Sequence, residues 1–230
     1  MTARALLLAG DTTVGGGGGG PAFGDVIQSN SGASALATTA PTLPAPTTAG
    51  SLVVLTFAAD DYNGTVNAGW TESSEMEQQT FHGGYLWWLK ATAAMTIPSY
   101  TIGSASRSAW TLVEYAGTFN ASPYDVSEGQ FQQTSTNNYT TANMTPTAGA
   151  RLLVAGLNAQ HASVDLTAWA SFTNSFTQSA ASLSNGANPR LSIVQLRLVV
   201  TANGSTAYST GGDHGVTASQ SRSALIIAFK

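Results

Sequence analysis

An internal repeat is the feature that most constrains how this 230-residue chain can fold. Residues 46–54 (PTTAGSLVV) return as residues 146–154 (PTAGARLLV). Two later matches follow in the same order: 89–93 (LKATA) with 198–202 (LVVTA), and 106–110 (SRSAW) with 221–225 (SRSAL). Ordered self-similarity of this kind predicts a duplicated structural unit. We place the two units at approximately 46–117 and 146–230.

Each unit contains short apolar runs that are rich in β-branched and aromatic residues and bounded by turn residues, a pattern typical of strands. No window keeps a 3.6-residue period, so few or no helices are expected. About four strands per unit would have one apolar face and could not stand alone. The sequence therefore predicts an all-β, antiparallel sandwich of about eight strands, with strands near 51–57, 85–91, 109–115, 152–157, 192–200 and 224–229.

The amino-terminal segment reads differently from the rest of the chain. An apolar run, Ala5, Leu6, Leu7 and Leu8, precedes a glycine tract at 15–20. The run is shorter than the apolar core of a signal peptide. A signal peptide remains the alternative interpretation of this segment. We interpret residues 1–20 as an extended arm with a glycine linker that docks on neighbouring subunits, and residues 21–230 as one sandwich domain.

The chain is poor in charge, with 9% charged residues against a usual share of about 25%. Hydroxyl and amide side chains replace the missing charges, and such groups can be buried against a partner if they find hydrogen bonds. Basic residues are scattered singly, which argues against direct nucleic-acid binding. No run approaches the roughly 18 apolar residues of a membrane span, so no membrane contact is expected.

Catalytic signatures are absent from the sequence. His82, His161 and His214 lie far apart, and no hydrolase motif surrounds them. We therefore expect no enzyme activity, no cofactor and no metal site. Asp60 and Asp61 could offer oxygen ligands to Ca²⁺, and the sequence leaves that possibility open.

One strand suggests an exposed aromatic side chain. Alternation of period two puts Tyr85, Trp87 and Leu89 on one face, and the equivalent residues of the second unit are all apolar. That face is predicted to be the core, and Trp88 is predicted to point outward. An exposed Trp88 could serve a protein interface or stack on a sugar ring. The alternative is that a neighbouring loop covers it.

Four segments together, 49–55 (AGSLVVL), 69–71 (GWT), 85–92 (YLWWLKAT) and 110–117 (WTLVEYAG), resemble a family of virion proteins. Its members are jelly-roll-like β-sandwich proteins of tailed bacteriophages, found as head-decoration, head-fibre or minor tail proteins. The resemblance implies a non-enzymatic structural component located in the virion. Its expected partners are capsid or tail subunits and further copies of the chain, with head and tail location left open. The alternative is a lectin-like, carbohydrate-binding sandwich that attaches to a host glycan.

Overall fold

The computed structural model describes residues 21–59, 64–73, 78–79, 82–92, 98–101, 107–134, 137–185, 190–216 and 220–230. The described residues form strands and no helix. In chain order the strands are β1 (Val26–Ser34), β2 (Thr38–Thr39), β3 (Leu52–Ala59), β4 (Thr65–Val66), β5 (Thr71–Glu72), β6 (Gln78–Gln79), β7 (His82–Lys90), β8 (Tyr100–Thr101), β9 (Ser108–Tyr115), β10 (Tyr124–Thr134), β11 (Asn138–Thr140), β12 (Gly149–His161), β13 (Thr177–Ser184), β14 (Arg190–Ala202), β15 (Gly211–Asp213) and β16 (Gln220–Phe229).

Two antiparallel sheets pack face to face, which confirms the predicted all-β sandwich. Sheet 1 has the order β1-β9-β3-β7-β5, with β6 also paired to β7. Sheet 2 has the order β10-β16-β12-β14-β13. Each sheet is built from one continuous half of the chain.

The two sheets repeat one topology. The order of sheet 1 becomes that of sheet 2 when each strand is exchanged for its counterpart: β1 for β10, β3 for β12, β5 for β13, β7 for β14 and β9 for β16. The contacts between the central strands of the sheets follow the same exchange, because β9 packs on β14 while β16 packs on β7, and β3 packs on β12. The edge strand β13 departs from it, since β13 packs on β1 and β9 whereas its short counterpart β5 makes no matching contacts. The halves are thus related by an approximate twofold operation, with the two central strands crossing near its axis.

The hydrogen-bond register aligns the halves residue by residue. Leu52 pairs with Tyr115, and Leu152 pairs with Phe229. Because Leu52 and Leu152 are equivalent, Tyr115 corresponds to Phe229. The predicted match of 106–110 with 221–225 is therefore out of register by one residue.

The halves also begin earlier than predicted, because the polar edge strands β1 and β10 belong to them. Each of these two strands carries a bulge in its first three residues, between Val26 and Gln28 in β1 and between Tyr124 and Val126 in β10.

The core has three layers. An inner cluster between the sheets combines side chains of both halves, with Leu52, Val54, Leu86 and Val113 from sheet 1 and Leu152, Val154, Leu225 and Ile227 from sheet 2. Each sheet also has an apolar outer face. The short sheet β2-β8-β4 lies in the first half and the pair β11-β15 in the second. Tyr100 of β8 belongs to the outer cluster of sheet 1 and Tyr139 of β11 to that of sheet 2.

The predicted exposure of Trp88 is wrong. Its side chain is 9% exposed and lies in the inner cluster, where its ring meets that of Phe229 edge-on at a centroid distance of 5.7 Å. Trp87 is buried as predicted, but it lies on the outer face of sheet 1. Both faces of β7 are covered, so period two could not tell the inside of the strand from its outside.

Two predictions concern residues outside the described part of the chain. One is the docking arm with Ala5, Leu6, Leu7 and Leu8, and the other is the possible Ca²⁺ ligation by Asp60 and Asp61.

Candidate assembly surface

The described basic side chains are all engaged inside the molecule. Seven of the eight Lys and Arg residues lie in the described part of the chain, and the eighth is Arg4. Each of the seven donates a hydrogen bond or forms an ion pair: Lys90 to Phe119 O, Arg107 to Ser184, Arg151 and Lys230 to Asp125, Arg190 to Asp165, Arg197 to Asp25 and Arg222 to His214. The described surface therefore presents almost no free positive charge.

Five of the seven described acidic side chains are used in the same way, and Glu72 and Glu128 are exposed. Asp25, Asp125 and Asp165 face arginines, Asp213 accepts from Asn137 and the Gly215 N–H, and Glu114 is buried. Glu128, which is exposed on β10, has no hydrogen-bond or ion-pair partner among the described residues.

A buried carboxylate fastens the loop that precedes the central strand of sheet 1. Glu114 Oε1 accepts hydrogen bonds from Thr48 N at 2.6 Å and Ser51 Oγ at 2.7 Å. Its Oε2 accepts from Gln28 Nε2 at 2.6 Å. Three donors satisfy the buried group in place of a cation. Glu114 is thus a structural clamp.

Sheet 2 has a clamp at the corresponding loop, with different chemistry. Asp125 Oδ2 accepts from Thr147 N at 2.9 Å and from Arg151 Nε at 2.8 Å. Its Oδ1 accepts from Thr147 Oγ1 at 2.7 Å. Burial opposes ionisation of Asp125, but the hydrogen bonds from Thr147 and Arg151 outweigh it and lower the pKa of the carboxyl group.

A polar hub joins the sheets inside the inner core. Gln195 Oε1 accepts from Thr56 Oγ1 and Thr111 Oγ1, each at 3.0 Å, and Gln195 Nε2 donates to Tyr115 Oη at 2.9 Å. The Tyr115 hydroxyl donates in turn to Ser179 Oγ at 2.9 Å. Burial raises the pKa of Tyr115 to about 12. Because every member has a partner, the hub fixes how one sheet sits on the other.

A second buried polar group, Arg222 with His214, lies beside the outer cluster of sheet 2. Arg222, which is fully buried, donates from Nε to His214 Nε2 at 2.9 Å. The acceptor role of Nε2 places the proton of neutral His214 on Nδ1, which is buried without a partner among the described residues. Burial and the nearby Arg222 charge lower the pKa of His214 to about 4. Trp169 meets the imidazole edge-on at 4.9 Å. His214 is therefore a buried packing residue in this structure.

The other candidate residues have local roles. His161 Nδ1 accepts from the backbone of Ser163 and Val164 at the end of β12. Trp70 and Trp169 each pack in the outer cluster of their own sheet. Of the chain's five tryptophans, all of them described, none is exposed and Trp70 is half-buried. No platform of exposed indole rings for sugar stacking is present among them.

The described residues contain no group of three or more His, Asp and Glu side chains that could hold a metal ion. They also contain no helical segment with the length and hydropathy that a bilayer crossing requires.

Comparison with known proteins gives no relative from which a role could be transferred. No protein-family model, no curated protein and no solved structure matches this chain.

Proposed function

We propose that this chain is a structural component of a bacteriophage virion, either a capsid-decoration protein or a minor tail or fibre protein, and that it acts by assembly with other proteins. The observation that carries the proposal is the internal use of charge by the seven described basic side chains and by five of the seven described acidic ones. A surface of hydroxyl, amide and apolar groups can be covered by a partner without stripping water from free ions, which is the costly part of polar burial.

The core supports the same proposal. The buried polar groups at Glu114, Asp125 and Gln195 each serve packing between strands, loops or sheets. The carbohydrate-binding alternative depended on an exposed Trp88 and on loop aromatic residues such as Tyr62. Trp88 is buried, and Tyr62 lies outside the described residues.

The proposal is tested first by the mass of the chain in solution, measured by light scattering. The full chain is compared with a variant in which Ala5, Leu6, Leu7 and Leu8 are all replaced by serine, so that the length stays unchanged. We expect a defined oligomer, or a monomer that binds phage particles, and we expect that assembly to be lost in the serine variant.

Location is tested with an antibody against the chain, applied to density-gradient fractions of phage particles from the source organism. Co-migration with intact particles supports a virion role. A chain that stays monomeric with and without the arm, ignores particles and binds a polysaccharide would overturn the proposal in favour of the lectin-like alternative.

A further inference from the structure

The connection between β12 and β13, residues 162–176, lies over the outer face of sheet 2. Its side chains Leu166, Trp169 and Phe176 are buried in the outer cluster of that sheet, while most of its other residues are exposed. We call this connection the cover segment. It is longer than the usual connection of about 4–6 residues, and an isolated bridge is its only strand-like pairing. Side-chain packing and loop hydrogen bonds therefore hold it on the sheet.

His161 fixes the start of the cover segment. Its Nδ1 atom accepts hydrogen bonds from Ser163 N at 3.0 Å and from Val164 N at 2.7 Å. An acceptor at Nδ1 means that the ring is neutral and carries its proton on Nε2. A second proton would occupy the lone pair that both amides share. Protonation of His161 therefore breaks both hydrogen bonds.

His214 fixes the middle of the cover segment. Its carbonyl oxygen accepts hydrogen bonds from Thr167 N and Thr167 Oγ1, and its ring meets that of Trp169 edge-on. This ring is also a neutral acceptor, because Nε2 accepts from Arg222 Nε at 2.9 Å. A proton on Nε2 would take away the acceptor of Arg222. Acid therefore acts on both attachments of the segment by the same chemistry.

Each histidine also stands beside an arginine. Arg190 pairs with His161 across β12 and β14, and Arg222 donates to His214. Burial first, and the arginine charge second, lower the pKa of both imidazole groups. A proton on either ring would place a second positive charge beside the first. The other described titratable groups near the two rings are Asp165, which faces Arg190, Asp213, which accepts from Asn137 and the Gly215 N–H, and Tyr139, which lies near Arg222.

Sheet 1 has no equivalent of these contacts in its own cover. The short sheet β2-β8-β4 contains no histidine. The third histidine of the chain, His82, begins strand β7 inside sheet 1. The two halves share one topology, but only the cover of sheet 2 is attached through histidine acceptors. Sheet 1 is therefore an internal reference for any effect of acid on the cover segment.

We infer that the cover segment is an acid-released flap, which opens from sheet 2 when His161 and His214 are protonated while the sandwich stays folded. Opening exposes Leu166, Trp169 and Phe176, and it gives both imidazolium groups access to water. This inference goes beyond the proposed function and does not depend on it.

Hydrogen exchange of the backbone amides at pH 7.5 and pH 4.5, corrected for the intrinsic exchange rates, tests the inference. We expect the cover segment to be less protected than β3 and β9 at both pH values. Its protection should fall by roughly 50-fold or more at pH 4.5, because the pKa of His214 rises from about 4 in the closed segment to about 6.5 in the open one. Equal protection of the cover segment and of β3 at both pH values would overturn the inference, since only global unfolding would then expose the segment.

Non-titrating acceptors test the role of the two histidines. In His161→Asn the side-chain oxygen can accept from the same two amides, and in His214→Gln the side-chain oxygen can accept from Arg222. The double variant should keep the protection of the cover segment at pH 7.5 and lose less than about twofold at pH 4.5. His82→Gln is the matched control and should respond to acid like the unchanged chain. A double variant that keeps the full acid response would overturn the inference.

His161→Asn alone serves if the buried substitution at His214 prevents folding. His161 lies near the surface, and its partners are the amides of Ser163 and Val164. We expect these two amides to keep more of their protection at pH 4.5 in His161→Asn than in the unchanged chain. The same loss of protection in both proteins would contradict the role of His161 as the attachment that acid releases.

Discussion

Thr56 and Gly156 occupy equivalent positions in the two halves and face each other where the central strands cross. A Cβ atom at position 156 would lie 2.7 Å from Thr56 Cγ2, closer than side chains tolerate. The same threonine donates its hydroxyl to Gln195 in the polar hub. Glycine on one strand thus allows a hydrogen-bonding side chain on the other.

Gly156→Ala should destabilise the fold by roughly 1–3 kcal/mol, because it overpacks this crossing. Thr56→Ser removes the Cγ2 methyl group and keeps the hydroxyl. The double variant Gly156→Ala with Thr56→Ser should therefore recover most of the loss, measured as the free energy of unfolding in urea. A double variant no more stable than Gly156→Ala would show that the methyl contact is not the cause.

Gln195→Leu should cost roughly 2–4 kcal/mol of unfolding free energy, although leucine stands at the equivalent position of sheet 1, Leu86. The substitution leaves the buried hydroxyls of Thr56 and Thr111 without their acceptor and removes the donor to Tyr115 Oη, which keeps its bond to Ser179. Gln178→Leu, at an exposed site on β13, is the matched control and should change stability by less than about 0.5 kcal/mol. Similar losses in both variants would argue against the hub.

Stability should fall as the pH drops from about 6.5 to about 4, because His214 is neutral and buried in the folded chain. Its folded pKa is about 4, below the unfolded value of about 6.5. The unfolded state binds the proton first in this window, so acid favours unfolding. The depressed pKa contributes its full stabilisation above pH 6.5, and roughly 2–3 kcal/mol is lost by pH 4.

Urea midpoints at several pH values measure this slope. His214→Phe should flatten it, even if the variant is less stable at pH 7.5 because Arg222 loses its acceptor. The pKa of His161 is also lowered by partial burial and by Arg190. His161 lies nearer the surface, so His161→Asn should reduce the slope of stability against pH by less than His214→Phe does. An unchanged slope in His214→Phe would contradict the assignment.

Trp88→Ala should destabilise the chain by roughly 3–5 kcal/mol, because the indole fills the inner core beside Phe229. Trp88→Phe should cost less, since it keeps an aromatic ring there. The control Leu36→Ala removes an exposed side chain and should be nearly neutral. A stable Trp88→Ala variant that had lost binding to a glycan would instead support the stacking role.

The sequence predicted the central strands and missed the edges, for a physical reason. Strands β3, β7, β9, β12, β14 and β16 are apolar on both faces or nearly so, and each coincides with a predicted run. The edge strands β1, β10 and β13 are rich in Ser, Gln, Asn and Thr because most of their described side chains are half-buried or exposed. Their polar residues look like loop residues when read singly.

The site was less accessible to sequence than the fold. Gln195 interrupts the apolar run of β14, and that interruption was the available signal for the hub. Its partners Thr56 and Thr111 lie 139 and 84 residues away, so no local pattern could join them. Glu114 lies inside the apolar run 109–115, and only the structure shows that it holds the loop at Thr48 and Ser51.

The matched order of the two sheets has an evolutionary consequence. Two separate, identical subunits related by a true twofold axis would place the same side chain on both sides of the crossing, and two threonines there would collide. Once both halves lie in one polypeptide, each can mutate alone. In this chain one half carries threonine at the crossing and the other carries glycine. The polar hub shows the same divergence, because Gln195 and Thr111 correspond to the apolar residues Leu86 and Leu225 in the opposite halves. Covalent fusion of the two halves permits this difference.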